Sequence, residues 1–359
     1  MASNGHRGGK QKVLIAGGGI AGVEAALALR DLGEDWVEVG LRDPRREFVF
    51  RPFAVGEPYG AARIFRCDLG QLTERCDVSF HADGIVSVDA ERRLAVTRGG
   101  ERLPYDRLVV ASGVRMLWAV PGAATFWGVA DEGQVGDVIA DLRAGALRRL
   151  VFTMPAGCSW ALPLYELALL SMTVLDKAGV ARTQITIATP EDVPLGLFGR
   201  RASEQLGRLL AERGIEVLTG AHPVRFEAGR LSIASGEEIE AEAVISLPRL
   251  QGRRILGVPH DADGFIQVDG QGRAIGLEHV YAAGDITTFP VKQGGIATQQ
   301  ADLVAEAIVA EIGAGPEPRP FDPILSGALW ERRPPGRYLS PFLDSLAGLA
   351  ESVGSPSLR

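Results

Sequence analysis

Short apolar runs recur along this chain, each followed by a stretch in which apolar positions return at helical spacing. The first run, Val13-Leu14-Ile15-Ala16, has no polar position and predicts a strand buried on both faces. It leads into Ile20 to Gly33, apolar through most of its length, which predicts a helix. Val37, Val39 and Leu41 then alternate toward Asp43, as in a second strand. Arg45 to Tyr59, RREFVFRPFAVGEPY, mixes arginines, aromatics and prolines, and predicts loop with short extended pieces. Alternation between Asp77 and Thr97 predicts a small antiparallel insertion, and Arg107 to Ala111 another buried strand.

From Leu147 the pattern starts again. A strand over 148–153 precedes an apolar helix from Leu164 to Leu175, a strand from Gln184 to Thr189 and an amphipathic helix from Ser203 to Arg213. A strand from Glu216 to Thr219 follows, then a hairpin and a buried strand between Leu231 and Ile245. This order repeats the first unit and predicts an α/β fold duplicated within one chain. The chain then returns through Gly264 to Ile312, with a short strand at Val280 to Ala282 and a long helix from about Ile296.

The ends differ from this body. Met1 to Lys12 is polar and Gly-rich, a tail. Pro316, Pro318, Pro320 and Pro323 predict an extended linker, and Pro334-Pro335 interrupts any helix there. Leu339, Phe342, Leu343, Leu346 and Leu349 then recur at helical spacing, an amphipathic stripe. It suits a membrane surface, a dimer contact or the protein's own surface.

Composition narrows the class. With 359 residues the chain has room for two cored domains. Its 46% hydrophobic and 23% charged content is that of a globular protein, and a net charge of −7 argues against a nucleic-acid partner. Cys67, Cys76 and Cys158 make no disulfide framework or zinc pattern and suit a reducing cytoplasm. No uninterrupted apolar run reaches the roughly 18 residues of a membrane span.

Candidate chemistry begins between the first strand and helix, where Gly17, Gly19 and Gly22 stand in G-x-G-x-x-G spacing. Each has a distinct task at a dinucleotide: a tight turn, close approach of backbone to a pyrophosphate, and close packing of helix on strand. The helix N-terminus then faces the phosphates with free N–H groups. Asp43, about 20 residues on, stands where a carboxylate accepts from a ribose.

Four motifs in this order, GGGIAG (17–22), YDRLVVASG (105–113), YAAGD (281–285) and PVKQGG (290–295), carry a wider resemblance. The chain resembles the FAD-dependent pyridine nucleotide–disulfide oxidoreductase superfamily, and within it the sulfide:quinone reductase and type II NADH dehydrogenase branch. That resemblance implies two Rossmann-like, three-layer FAD/NAD(P)-binding domains, the second inserted into the first. Residues 13–117 and 247–313 would form the FAD domain, 118–246 the NAD(P)-binding-like domain, 1–12 an N-terminal tail, and 314–359 a linker with the amphipathic segment. It further implies that Gly17, Gly19, Ile20, Ala21 and Gly22 cradle the FAD pyrophosphate and that Asp43 holds the adenosine ribose. Arg51 joins this set, Ile85 meets the adenine through its backbone, and Ala111, Ser112 and Gly113 pass the cofactor. Gly284 and Asp285 meet the ribityl chain, while Gly294, Gly295 and Ile296 aim a helix N-terminus at the flavin. Lys292, in the position of a P-K-x-G lysine, adds positive charge to that edge.

Two departures limit the resemblance. The second strand–turn–helix reads MPAGCSWALPLYELALL (154–170), keeping only Gly157, with Trp160, Pro163 and Tyr165 where a pyrophosphate would lie. Proline offers no N–H, so NAD(P)H in the usual mode is not supported, although Glu166 and Glu191 stand at positions common in such domains. Cys158 sits where a sulfide:quinone reductase has one of its cysteines, and a thiol at a helix N-terminus would have a lowered pKa. The other family cysteines are missing, which favours a small buried hydrophobe there. Of the quinone-site pattern A-Q-x-x-x-Q, Gln299 matches the second glutamine while Gly295 replaces the first.

The sequence therefore points to an FAD-dependent oxidoreductase, with a small-molecule donor and a quinone or other acceptor. It would lie in the cytoplasm or on the inner face of the membrane. Cys158, Lys292 and Glu166 are its candidate catalytic residues, and it has no metal site. An NAD(P)H dehydrogenase of the same fold and an FAD-binding regulatory module with little turnover are the competing readings.

Overall fold

A computed structural model describes residues 9–128, 133–158, 160–180, 182–318, 320–325, 327 and 329. The amphipathic stripe from Leu339 and the Pro334-Pro335 pair lie outside the described residues. Strand β1 (Gln11–Ala16) leads through a tight glycine turn into helix α1 (Ile20–Gly33) and strand β2 (Val37–Arg42). Ile15 and Leu41 are fully buried, each contributing about 1.5–3 kcal/mol by leaving water. A hairpin follows, β3 (Glu47–Phe50) and β4 (Phe65–Asp68), with a 3₁₀ turn, Arg51–Gly56, inside its connection.

Helix α2 (Leu69–Glu74) and β5 (Ser79–His81) complete the edge of the first sheet. Strands β6 (Ile85–Asp89), β7 (Leu94–Thr97) and β8 (Arg102–Pro104) make a three-stranded antiparallel sheet before β9 (Arg107–Val110). The alternation from Asp77 to Thr97 therefore serves two sheets. The strand around Phe80 is parallel to β2, and only the rest is antiparallel. Local alternation marks a half-buried strand without stating its partner.

Strand β10 (Val114–Leu117) leaves this unit. Strand β11 (Ala124–Thr125) and helix α3 (Gln134–Arg143) come next, elements absent from the sequence reading. The apolar stripe of α3, Val135, Ile139 and Leu142, is fully buried. Strand β12 (Arg149–Thr153), helix α4 (Leu162–Ala178), β13 (Gln184–Ala188), helix α5 (Arg200–Glu212) and β14 (Glu216–Leu218) then repeat the first pattern. A meander of β15 (Pro223–Glu227), β16 (Arg230–Ile233) and β17 (Glu238–Glu240) replaces the expected hairpin and precedes β18 (Ala243–Ser246). Strand β19 (Arg249–Gly252) pairs antiparallel with β10, so the outgoing and returning connections form one ribbon. Strand β20 (Val280–Ala282) and helix α6 (Gly294–Glu311) close the first unit.

Two parallel five-stranded sheets result, ordered β20-β9-β1-β2-β5 and β11-β18-β12-β13-β14. They share one layout, with an antiparallel meander inserted at the same point of each. The duplication expected from the pattern is present, in a mixed α/β fold. Alanines 21, 25 and 26 on α1 and Ala297, Ala301 and Ala305 on α6 let these helices lie close in one apolar cluster. A larger cluster joins the units: Ala54, Val55, Tyr59 and Ile64 pack with α3, α4 and β12. The Tyr59 hydroxyl donates to Leu167 O at 2.8 Å. No helix among the described residues is long and apolar enough to cross a membrane.

Candidate active site

A cavity of about 500 Å³ lies where the strand ends of the first unit face helix α4 of the second. Its wall begins at the β1–α1 turn, whose glycines differ in what they permit. Gly17 has φ +126°, and a Cβ there would meet Ala111 O at 2.2 Å. A Cβ at Gly22 would sit 1.8 Å from Gly17 O, so the helix can close on the turn only without a side chain. Nothing lies within 4 Å of the Cβ position of Gly19, which opens onto the cavity. Two glycines are thus used up by the fold, and the third is left for a ligand.

The structure brings most of the expected cofactor residues to this wall: Gly19, Ile20, Ala21, Arg51, Ala111, Ser112, Gly113, Gly284, Asp285, Lys292, Gly294 and Gly295, with Cys158 and Glu166 opposite. Gly17, Gly22 and Ile296 stand behind it and shape it. Ile296 N–H is bonded to Gln293 Oε1 at 2.9 Å, so the α6 N-terminus is partly capped by its own chain.

Two residues expected at the cofactor are not part of this wall. Asp43 does not reach the cavity: its Oδ2 accepts from Gly18 N–H (2.8 Å) and Arg45 Nη2 (3.1 Å), and its Oδ1 from Arg45 N and Nε (2.8 and 3.1 Å). A carboxylate offers about four acceptor positions, and all four are taken by its own chain. Burial pushes this carboxyl up, but the bonds from Arg45 and Gly18 outweigh it and hold it below its ordinary value. Ile85 also lies off the cavity wall, packed in a cluster with Val88, Tyr105 and Leu108.

Arg45 takes the place at the wall that Asp43 leaves, and Arg253, from just beyond β19, joins it. Arg51 is lowered by burial and by repulsion from Arg45 and Arg253, with Asp285 in opposition. Arg253 is lowered by burial and then by Arg45. Guanidiniums gathered beside a glycine turn fit a diphosphate, which takes charge-assisted hydrogen bonds from all of them. Sequence spacing missed Arg253 because it approaches only through the long return of β19. Arg45 had a local signal, two residues past Asp43 in extended chain.

The opposite end is held by another residue absent from the sequence reading. Gln300, buried in α6, accepts from Gly284 N–H at 2.7 Å and orients the Gly284–Asp285 turn. Burial raises the Asp285 carboxyl against the pull of Lys292 and Arg51. Lys292 is 9% exposed, so it belongs to the wall and not to the surface. Its Nζ donates to Thr287 O and to Phe289 O, and lies 4.2 Å from the centre of the Phe265 ring. Burial pushes this ammonium down to about 8, against Asp285 and Asp261. Ser112 Oγ, also on the wall, is buried with no hydrogen-bond partner. An open glycine turn, an arginine cluster and an orphaned hydroxyl in one cavity fit an FAD-sized diphosphate cofactor.

The second unit contributes wall rather than a cradle. Its β12–α4 connection runs from 154 to 161, and Cys158, Trp160, Leu162, Pro163 and Glu166 line the first unit's cavity. The Cys158 thiol donates weakly to Trp160 O at 3.7 Å. Burial pushes it up to about 11, which accords with the small buried hydrophobe favoured from the sequence and not with an activated thiol. Glu191, after β13, accepts from the Tyr165 hydroxyl at 2.5 Å and from Thr189 Oγ1 at 3.1 Å.

Comparison with known proteins accords with this geometry. Residues 11–149 and 158–309 match the family described as pyridine nucleotide-disulphide oxidoreductase. An NADH dehydrogenase-like protein of Mycobacterium tuberculosis is 27% identical over 289 residues, 77% of this chain and 72% of that protein. The sulfide-quinone reductase of Aquifex aeolicus is 24% identical over 335 residues, 85% of this chain and 77% of that protein. A ferredoxin reductase component of chlorobenzene dioxygenase from Cupriavidus is 26% identical over 339 residues, 85% and 76% of the two chains. Among solved structures, the sulfide:quinone oxidoreductase of Aquifex aeolicus superposes with a TM-score of 0.78 at 23% identity, covering 85% of this chain and 78% of that one.

Proposed function

Because the chain belongs to the pyridine nucleotide-disulphide oxidoreductase family, we propose that it oxidises a small reductant and passes the electrons to a quinone or a comparable acceptor. It is an FAD-dependent oxidoreductase, and FAD supplies the two-electron chemistry when bound. We assign residues 13–117 and 247–313 to the cofactor's domain and 118–246 to the inserted one. In this reading Gly19, Arg45, Arg51 and Arg253 hold the diphosphate, and Ser112 and Asp285 bond the sugar chain. Gly294, Gly295 and the buried Lys292 place positive potential at the far end of the cavity.

The observation that carries the reading is one cavity lined by Arg45, Arg51, Arg253 and Lys292, with an apolar wall from the second unit. Names of relatives span several donors and acceptors, so the donor is a matter for experiment. Sulfide oxidation through a cysteine pair has little support, since Cys158 stands without a second cysteine on this wall and its thiol is held protonated. NAD(P)H as donor is disfavoured by Pro163 and by the Tyr165–Glu191 bond, which occupies the carboxylate that a second ribose would use. Anaerobic half-reactions with sulfide, NADH and NADPH test the assignment. Bleaching of the flavin by a small reductant, followed by recovery with a quinone, is expected. A protein that turns over no donor–acceptor pair faster than free flavin would instead be a binding module.

A further inference from the structure

The chain beyond α6 does not leave the molecule at once. Gly315 lies against Val309, and the proline-rich run then travels back along α6 toward its N-terminus. Phe321 meets Phe289 with ring centres 5.7 Å apart. Ile324 reaches Gln299, Gly327 lines the cavity, and Leu329 packs on the core of the second unit. A Cβ at Gly327 would lie 2.9 Å from Phe198 Cζ and 3.4 Å from Leu162 Cδ2, so this point closes tightly on the far wall. The described residues of the C-terminal segment therefore run beside the α6 N-terminus at Ile324, meet the cavity wall at Gly327 and pack on the second unit's core at Leu329.

One side chain fastens it. The Gln299 Oε1 accepts from Ile324 N–H at 2.8 Å, and its Nε2 donates to Ile324 O at 3.0 Å and to Gly295 O at 2.8 Å. The amide thus pairs with the tail backbone as a neighbouring strand would, which satisfies both main-chain groups of Ile324. Thr298, one residue earlier, faces the cavity, whereas Gln299 faces the tail.

We propose that Gln299 is a latch, holding the segment that contains Phe321, Ile324 and Gly327 against the cavity wall, and that this latch sets the size of electron acceptor admitted. A small quinone passes with the latch shut. A quinone bearing a long side chain reaches the cofactor only when the Gln299–Ile324 pairing opens. Gln299 is then a positioning residue acting through the tail. The proposal rests on the cavity being the flavin site and deepens the acceptor assignment.

The test uses holoprotein reduced anaerobically with dithionite and mixed with either 1,4-benzoquinone or decylubiquinone. Gln299→Leu is expected to speed reoxidation by decylubiquinone about tenfold, equivalent to ~1.4 kcal/mol of lost closure, with benzoquinone unchanged. Phe321→Ala, which loosens the tail without touching Gln299, should act in the same direction and keeps the test alive if Gln299→Leu loses its flavin. Chymotryptic cleavage after Phe321 should be faster in Gln299→Leu than in wild type, a readout independent of turnover. Slower decylubiquinone oxidation with unchanged cleavage would overturn the latch and make Gln299 a direct acceptor contact. Equal rates for every variant with both quinones would also overturn it. If neither quinone reoxidises the wild type, the acceptor assignment fails, and cleavage alone decides the latch.

Discussion

The two strand–turn–helix corners of this molecule occupy equivalent places in equivalent sheets, yet only one is built for a diphosphate. In the first, residues 17–19 link β1 to α1, and Gly17 and Gly22 let strand, turn and helix close on each other. In the second, residues 154–161 separate β12 from α4, and proline stands in the first helical turn. The carboxylates that follow differ as well. Asp43 ties down its own glycine turn through Gly18, whereas Glu191 is taken by Tyr165 from the facing helix. The two copies thus share one sheet order while the second copy's corner lines the first unit's cavity. Fold and site separate at the level of a single connection.

Glycine substitutions sharpen that difference most. Gly17→Ala should destabilise by about 3 kcal/mol or more, through strain and a clash with Ala111, and yield colourless protein. Gly157→Ala, also at positive φ but with open space around it, should cost about 1 kcal/mol. Thermal melts of both variants settle the matter, and equal losses would erase the distinction. Next in size, Arg253→Ala should weaken FAD binding ten- to hundredfold, as expected for a lost bond to a charged group worth about 1.5–3 kcal/mol. Titration of apoprotein by flavin fluorescence reads this, and the deficit should shrink at high salt.

Tyr165→Phe probes the second corner. Losing the bond to Glu191 should lower stability by about 1–2 kcal/mol without creating NADH-dependent bleaching. Bleaching in this variant would mean that the second corner is a masked site, with its nucleotide chemistry intact. The smallest effect concerns the helix that starts at the first corner. Glu24 of α1 is pushed up to about 7 by burial and by Asp302 of α6, its hydrogen-bonding neighbour. A carboxyl raised in the folded state contributes its stability fully below its ordinary value of 4.5 and loses it as pH rises through about 7. Glu24→Gln should flatten the fall in melting temperature across that window, and an unchanged slope would place the proton elsewhere.

Local patterns carried the central parallel strands, helices α1, α4, α5 and α6 and the repeat, since each depends on neighbours within a few residues. Gly19 was legible in the glycine spacing, and Ser112 and Gly284 through the motifs that carry the family resemblance. Arg253 and Gln300 were not, because their roles arise when segments distant in sequence converge. The thiol of Cys158 went the other way: helix position suggested a lowered pKa, but burial against Trp160 governs. Asp43 bonds Arg45 and Gly18, partners that the glycine-to-carboxylate spacing does not describe.

Anaerobic spectral titration of the purified protein tests the central claim most directly. The account predicts a yellow protein whose flavin bands are bleached by dithionite and are left intact by stoichiometric NADH or NADPH. Rapid, stoichiometric bleaching by either nucleotide would contradict it, because the second corner would then hold a nicotinamide despite Pro163 in its first helical turn and the Tyr165–Glu191 bond.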